Sequence, residues 1–242
     1  MFGFKQICAA ALAAVLALSS PALAARQDTG SFDLEIRGIN VGVLVFNGTS
    51  DTASYAVAGR LESTGLAAFV RKVRYDASVT GRLSGGKFVP SQYSEVADTG
   101  KRQSESVMEY RSGVPQVKKY APPRDPSPTD IDPATQGGTL DPLTALFATL
   151  RDVPVADACK LSVYMFDGKR RSSIALAAAE VDGETITCAG EYRRLEGFSA
   201  KEMAEKQRFP FRLTYAPADA GFVRVVSVSM DSLYGRASLT RR

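Results

Sequence analysis

Residues 166–171 read Phe-Asp-Gly-Lys-Arg-Arg, and a second cation pair follows at Arg193-Arg194. Clustered guanidinium and ammonium groups can hold a phosphate or carboxylate, because each donates several charge-assisted hydrogen bonds. Asp167-Gly168 signals a two-residue type I′ turn, and so does Asp182-Gly183. Two such turns set Arg171 opposite Arg194 and Ser172 opposite Arg193. Like charges facing across strands repel unless something neutralises them. Lys169, Arg170, Arg171, Arg193 and Arg194 are therefore the candidate anion or partner contact, suited to a lipid phosphate, a cell-wall group or an acidic partner. The competing reading is a hairpin end whose long cations fan into water beside Glu191 or Glu196. A nucleotide-type phosphate loop is excluded, because the run has one Gly and no helix N-terminus behind it.

Cys159 and Cys188 are the other reactive pair. An even pair in an exported chain implies a disulfide, and two buried thiols are the alternative. The same two-residue turns set Cys159 opposite Leu176, and Leu176 opposite Ala189. The cysteines then sit on strands flanking the middle one, roughly 9–10 Å apart. A disulfide needs Cα atoms within about 7 Å. The spacing therefore predicts that Cys159 leaves the ladder and that its strand starts after it.

Other chemistry is narrowed by absence. The chain has no His, which removes the commonest general base and metal ligand. The cysteines lack zinc-site spacing, and no metal or cofactor is expected. Gly85-Gly86 and Gly137-Gly138 match no phosphate cradle and read as turns. A carboxylate pair could still form in space. Asp125, Asp130 and Asp132 lie together, in a proline-rich stretch where acids are mostly solvated.

These residues need elements to hold them. The first 24 residues read as a leader: one cation at Lys5, an apolar run too short to span a bilayer, and small residues at Ala22 and Ala24. Without them the chain carries 29 cations against 26 anions, too even a balance for a nucleic-acid binder. No later stretch suggests a membrane span.

From Phe32 to about Tyr120 the pattern is antiparallel strand. Phe32, Leu34 and Ile36 alternate, and the phase flips after Gly38 to Ile39, Val41, Val43 and Val45, which predicts a β-bulge at Gly38. Asn47-Gly48 offers a two-residue turn. A loop over 47–51 is preferred, pairing Val43 with Tyr55 and Val41 with Val57. Phe69, Val73, Tyr75, Ala77, Val79 and Leu83 share one face of a long strand. Such strands suit a curved sheet or barrel.

Residues 114–141 are proline-rich, with Pro115, Pro122, Pro123, Pro126, Pro128 and Pro133. They read as a strap on one domain, residues 25–242, or as a linker between two. Asp141 and Pro142 then begin a helix with an apolar stripe at Leu143, Leu146, Phe147 and Leu150, placed to plug or cover the sheet. The second half is a meander, with a capping box at Ser199–Glu202. The expected fold is mainly β: a curved antiparallel sheet forming an open or incomplete β-barrel, covered by one amphipathic helix.

The stretches "FDLEIRGINVGVL", "GTLDPLTAL", Cys159, "FDGKRR" and Cys188 with "YRRLEGF" resemble an exported proteobacterial family, domain-of-unknown-function family 3108. The resemblance implies an envelope location and a β-rich fold, and it supplies no catalytic residue. The leading expectation is a non-enzymatic periplasmic module for an amphiphilic ligand or a partner protein in envelope maintenance. A scaffold that uses the proline-rich strap, and a carboxylate-dependent hydrolase, are the alternatives.

Overall fold

The computed structural model describes residues 25–242 apart from Arg124, with the backbone alone at Leu66 and Ala220. The leader expected at residues 1–24 lies outside the described residues.

The first half is a run of hairpins. Strands β1 (Arg26–Ile36) and β2 (Ile39–Ser50) meet at Arg37-Gly38. Both turn residues have positive φ, 53° and 76°, as a type I′ turn requires. The phase change at Gly38 is thus a chain reversal rather than a bulge. The register slip comes later, where Leu34 pairs with Gly42 and Glu35 with Asn40. It leaves Leu44 and Phe46 facing inward opposite Phe32 and Gly30.

Strand β3 (Ser54–Ser63) starts after a turn at 51–53, so both turns expected near Asn47 are corrected. Gly48 pairs with Val57, and Val43 pairs with Glu62. The Asp51 carboxylate accepts from the Ala53 and Ser54 amides at 2.7 and 2.6 Å, and this local closure moves the reversal beyond Gly48.

The next long strand is also shorter than the alternation suggests. Residues Gly65–Val70 form helix α1 instead, and Phe69 is 94% exposed rather than on a buried face. Gly65 enters with φ +56°, and the Ser63 hydroxyl donates to Arg71 O while accepting from Val73 N–H, which closes the excursion. Strand β4 (Arg74–Ser84) then carries Val79 inward as expected. Strands β5 (Lys87–Asp98), β6 (Gln103–Arg111) and β7 (Val114–Ala121) complete this half. β7 corrects the start of the strap to residue 122. Pro115 is tolerated because β7 is a terminal strand, where a missing N–H costs no ladder bond on the free side.

After the strap come helix α2 (Pro142–Leu150), the two-residue β8 (Val153–Pro154), β9 (Ser162–Phe166), β10 (Arg171–Asp182) and β11 (Thr185–Glu196). Helix α3 (Ala200–Glu205) has the expected capping box at Ser199 and Glu202. Strands β12 (Arg208–Pro217), β13 (Phe222–Ser232) and β14 (Gly235–Arg241) end the chain.

The sheet runs β7-β6-β5-β4-β3-β2-β1-β14-β13-β12-β11-β10-β9, all antiparallel, with β8 added on β13. The pairing of β1 with β14, Leu34 against Leu239, welds the two halves. The free edges are β7 and β9, so this barrel is not closed. The strap spans the gap. Gly138 N–H donates to Gly113 O, Leu140 N–H to Tyr164 O, and Ile131 N–H to Lys169 O. Gln136, Thr139 and Leu140 are buried there.

Helix α2 is not a lid. It sits inside the curl, with Leu143, Thr144, Ala145, Phe147, Ala148, Thr149 and Leu150 all buried. The N-cap is as expected: Asp141 accepts from Thr144 N–H at 2.9 Å. Phe147 meets Phe46 and Phe88 edge-on, each with ring centres 5.8 Å apart.

Candidate functional site

Helix length leaves room for an apolar cavity. Nine residues at about 1.5 Å each make a plug of about 14 Å. A 12-residue strand such as β2 reaches about 40 Å. The helix packs most closely against β3, β4, β5 and β9, away from the β10–β14 wall. Between them lies a cavity of about 500 Å³. Leu146 and Leu150 of the helix stripe face it, opposite Ile174, Phe211, Val228 and Leu239. Leu34, Leu61, Leu146, Ile174, Met230 and Leu239 are all only half-buried, so the apolar lining meets solvent at one end. Among its few polar groups, the Thr149 hydroxyl is already spent on Ala145 O at 2.8 Å.

A second cavity, about 510 Å³, lies at the opposite end with Lys87, Arg151, Asp157 and Lys160 on a mixed polar wall. Beside it the barrel end is stoppered by ions. Asp152 accepts from Arg224 at 2.7 Å and from Arg26 at 3.3 Å, and Arg26 also donates to Asp28 at 3.1 Å. Both carboxylates are buried, at 4% and 3% exposure. Each is engaged by arginine, which suits structural pairing better than proton transfer. Burial lowers the pKa of nearby Arg151, the direction expected of a cation taken from water. Among the described residues no group of three His, Cys, Asp or Glu could hold a metal. No helix among them is long and apolar enough to cross a membrane.

One carboxylate lies deep inside. Asp141 is fully buried, and burial pushes its pKa up to about 6 despite hydrogen bonds from Thr144. The Thr144 hydroxyl donates to it at 2.6 Å and lies 2.8 Å from the Tyr55 hydroxyl. This chain fixes the helix entrance against β3.

The cation cluster is resolved differently from its expectation. The β9–β10 loop holds four residues, 167–170, not two. The Asp167 carboxylate accepts from the Lys169 and Arg170 amides at 2.9 and 2.8 Å and closes the wider loop. The next turn falls at Gly183-Glu184, a bulge at Ala178 shifts the ladder, and a further register shift lies between Arg171 and Ser172. Arg171 therefore faces Glu196, and Arg194 faces Ser172. The facing arginine pair does not form.

Four of the five cations are engaged within the fold. Arg170 pairs with Glu202 at 2.9 Å and lies over Phe198. Arg171 lies 3.8 Å from Glu196 and over Tyr164. Arg194 donates to the Glu202 and Lys206 carbonyls at 2.6 and 3.0 Å, capping the C-terminal end of α3. Lys169 reaches Tyr120 on β7. Arg193 is exposed, between Ser173 and Arg208 in the ladder. The loop is thus a clasp between edges of the barrel, with only Arg193 turned outward.

Cys159 and Cys188 form the disulfide, with Cα atoms 5.4 Å apart. Cys159 lies outside the ladder, since β9 starts at Ser162, and its φ of +61° turns the chain back over the sheet. Leu176 pairs with Gly190 rather than Ala189.

Sequence reasoning missed the cavity. Its lining alternates like any core, and nothing in that alternation marks where the helix stops filling the barrel.

The fold matches a solved structure from Brucella abortus, titled a beta-barrel-like protein of domain of unknown function DUF1849. The TM-score is 0.50 at 12% identity, over 89% of this chain and 95% of that one, a likeness of fold alone. No curated protein matches the chain. The family model described as Protein of unknown function (DUF3108) matches residues 31–240. The chain therefore belongs to the DUF3108 family, over nearly the whole of its barrel.

Proposed function

We propose that the protein is a non-enzymatic, exported binder of an amphiphilic molecule, whose apolar part fills the cavity between α2 and the β10–β14 wall. One observation carries this reading: a cavity of about 500 Å³, apolar in its lining and open at one end. Small-molecule sites typically measure about 300–1,000 Å³. Left empty, such a lining keeps apolar side chains in water. Each methylene placed there contributes about 0.8 kcal/mol. The open end lets a polar head stay solvated. The disulfide supports an oxidising, periplasmic location. Gln136, Thr139 and Leu140 of the strap are buried across the barrel gap, so that end of the strap serves the fold.

The test is native mass spectrometry on protein exported in a Gram-negative host, with titration of a dansylated fatty acid. A co-purifying apolar mass and saturable probe uptake are expected. Ala237→Trp, which fills the cavity from β14, should abolish uptake while the far-ultraviolet spectrum holds. Folded wild-type protein that takes up neither would overturn the reading.

A further inference from the structure

The open end of the cavity is framed by turns of unusual composition. Leu34, Leu61, Met230 and Ala237 line the cavity close to strand ends, and the chain beyond each forms the rim. On that rim Phe69 and Val70 of α1 are 94% and 87% exposed, Ile39 is 59% and Tyr234 is 71%. Leu233 lies beside Tyr234 and is also exposed.

These turns form one continuous arc. Arg37 Nε donates to Tyr234 O at 2.7 Å, joining the β13–β14 turn to the β1–β2 turn. The Thr64 hydroxyl donates to Asn40 Oδ1 at 2.8 Å, joining that turn to α1. Gly100 approaches Lys72 O so closely that an added Cβ would stand 2.7 Å away, which joins α1 to the β5–β6 turn.

Arg37, Arg71, Lys72, Lys101, Arg102 and Arg236 are all exposed along this arc. Of its acids, Asp98 is turned into its own loop, accepting from Gly100 N–H at 2.8 Å and from Gln103, and exposed Asp231 sits opposite Arg236 in the ladder, which leaves the cations in excess. The opposite end is mixed in charge, with exposed Asp51, Asp182, Glu184 and Asp219 beside exposed Lys87, Arg111 and Lys160. Large apolar side chains cost free energy in water, and five on the tips of one basic arc need a partner that is apolar below and anionic at its surface.

We propose that this arc docks on an anionic lipid bilayer. Phe69, Val70, Ile39, Leu233 and Tyr234 enter the headgroup boundary, and the six cations meet lipid phosphates. Docking turns the cavity mouth toward the lipid, so an amphiphile can pass between bilayer and barrel without crossing water. That last step rests on the cavity reading above, whereas docking itself does not.

The experiment is vesicle co-sedimentation of the full protein, using phosphatidylcholine vesicles with and without phosphatidylglycerol. Binding is expected only with the anionic lipid, and it should weaken at least tenfold between 50 and 300 mM salt. Phe69→Asp with Val70→Asp, both on exposed positions, should weaken binding at least tenfold while retaining uptake of the dansylated fatty acid. Arg71→Glu with Lys72→Glu should do the same. Ala237→Trp should lose uptake and still bind vesicles. Probe uptake without vesicle binding would overturn docking and leave the cavity reading standing. Vesicle binding without probe uptake would overturn the cavity reading alone. Equal binding by wild type and Phe69→Asp/Val70→Asp, or a protein partner captured through these residues in place of lipid, would also overturn docking.

Discussion

The ammonium of Lys169 lies 4.8 Å from the ring centre of Tyr120 and 3.2 Å from its hydroxyl oxygen. One residue belongs to the β9–β10 loop and the other to β7, the two free edges of the sheet. Where the backbone ladder fails to close the barrel, this side-chain contact helps bridge the seam.

The seam should loosen when this contact is lost. A part-buried hydrogen bond and a cation–π contact together contribute about 1–2 kcal/mol. Tyr120→Leu should lower the stability measured by urea unfolding by that amount. It should also speed hydrogen exchange in β9 more than in β1. Uniform exchange across both strands would contradict the seam.

The helix plug depends on a missing side chain. A Cβ at Gly48 would stand 2.4 Å from the Phe147 ring, well inside contact distance. Overpacking of this kind costs roughly 1–3 kcal/mol. Gly48→Ala should therefore lower the urea midpoint. The double variant with Phe147→Leu should recover part of the loss, a coupling that a simple turn glycine would not show.

The disulfide closes a chain separation of 29 residues. In the chain-entropy model such a loop contributes roughly 3–4 kcal/mol. Cys159→Ala with Cys188→Ala should lose about that much in urea unfolding. Reductant should destabilise wild type and leave the variant unmoved. Two free thiols in the exported protein, found by non-reducing mass spectrometry, would rule the bond out.

Asp141 should make stability depend on pH. Burial raises its pKa in the folded state from 3.8 to about 6, so folding favours the protonated form. Its contribution is full below about pH 3.8 and is lost as pH rises through about 6. A rise of this size corresponds to roughly 3 kcal/mol. Asp141→Asn keeps a side chain that can cap the helix and removes the titration. Relative to this variant, wild type should lose up to that amount between pH 4 and pH 7. Parallel profiles from urea unfolding would contradict it.

Local chemistry was legible without the fold. Asp141-Pro142, Gly85-Gly86 and the Ser199–Glu202 capping box act within a few residues, so their outcome follows from neighbours in the chain. Alternation around Tyr75–Val79 likewise reports which side of a strand is apolar. The disulfide was inferred from the even cysteine pair, and the departure of Cys159 from the ladder from the span that two strand spacings impose.

Register was not legible, because it accumulates along the sheet. A one-residue shift of the β10–β11 turn, a bulge at Ala178 and a further register shift between Arg171 and Ser172 moved Arg171 from Arg194 to Glu196. Each change is small in local free energy, and only the packing of the whole sheet selects among them. The same holds for Phe69, whose apolarity suits a buried strand as well as the rim where it sits.

Composition and periods of two and 3.6 residues were thus enough to establish an open, mainly β barrel, its one long helix and its cysteine pair. Long-range packing settled the rest: the β1–β14 weld, the helix inside rather than over the sheet, the clasp of Lys169 on Tyr120 and the cavity of about 500 Å³. Each of these depends on residues far apart in the chain meeting at one distance, which periodicity does not encode.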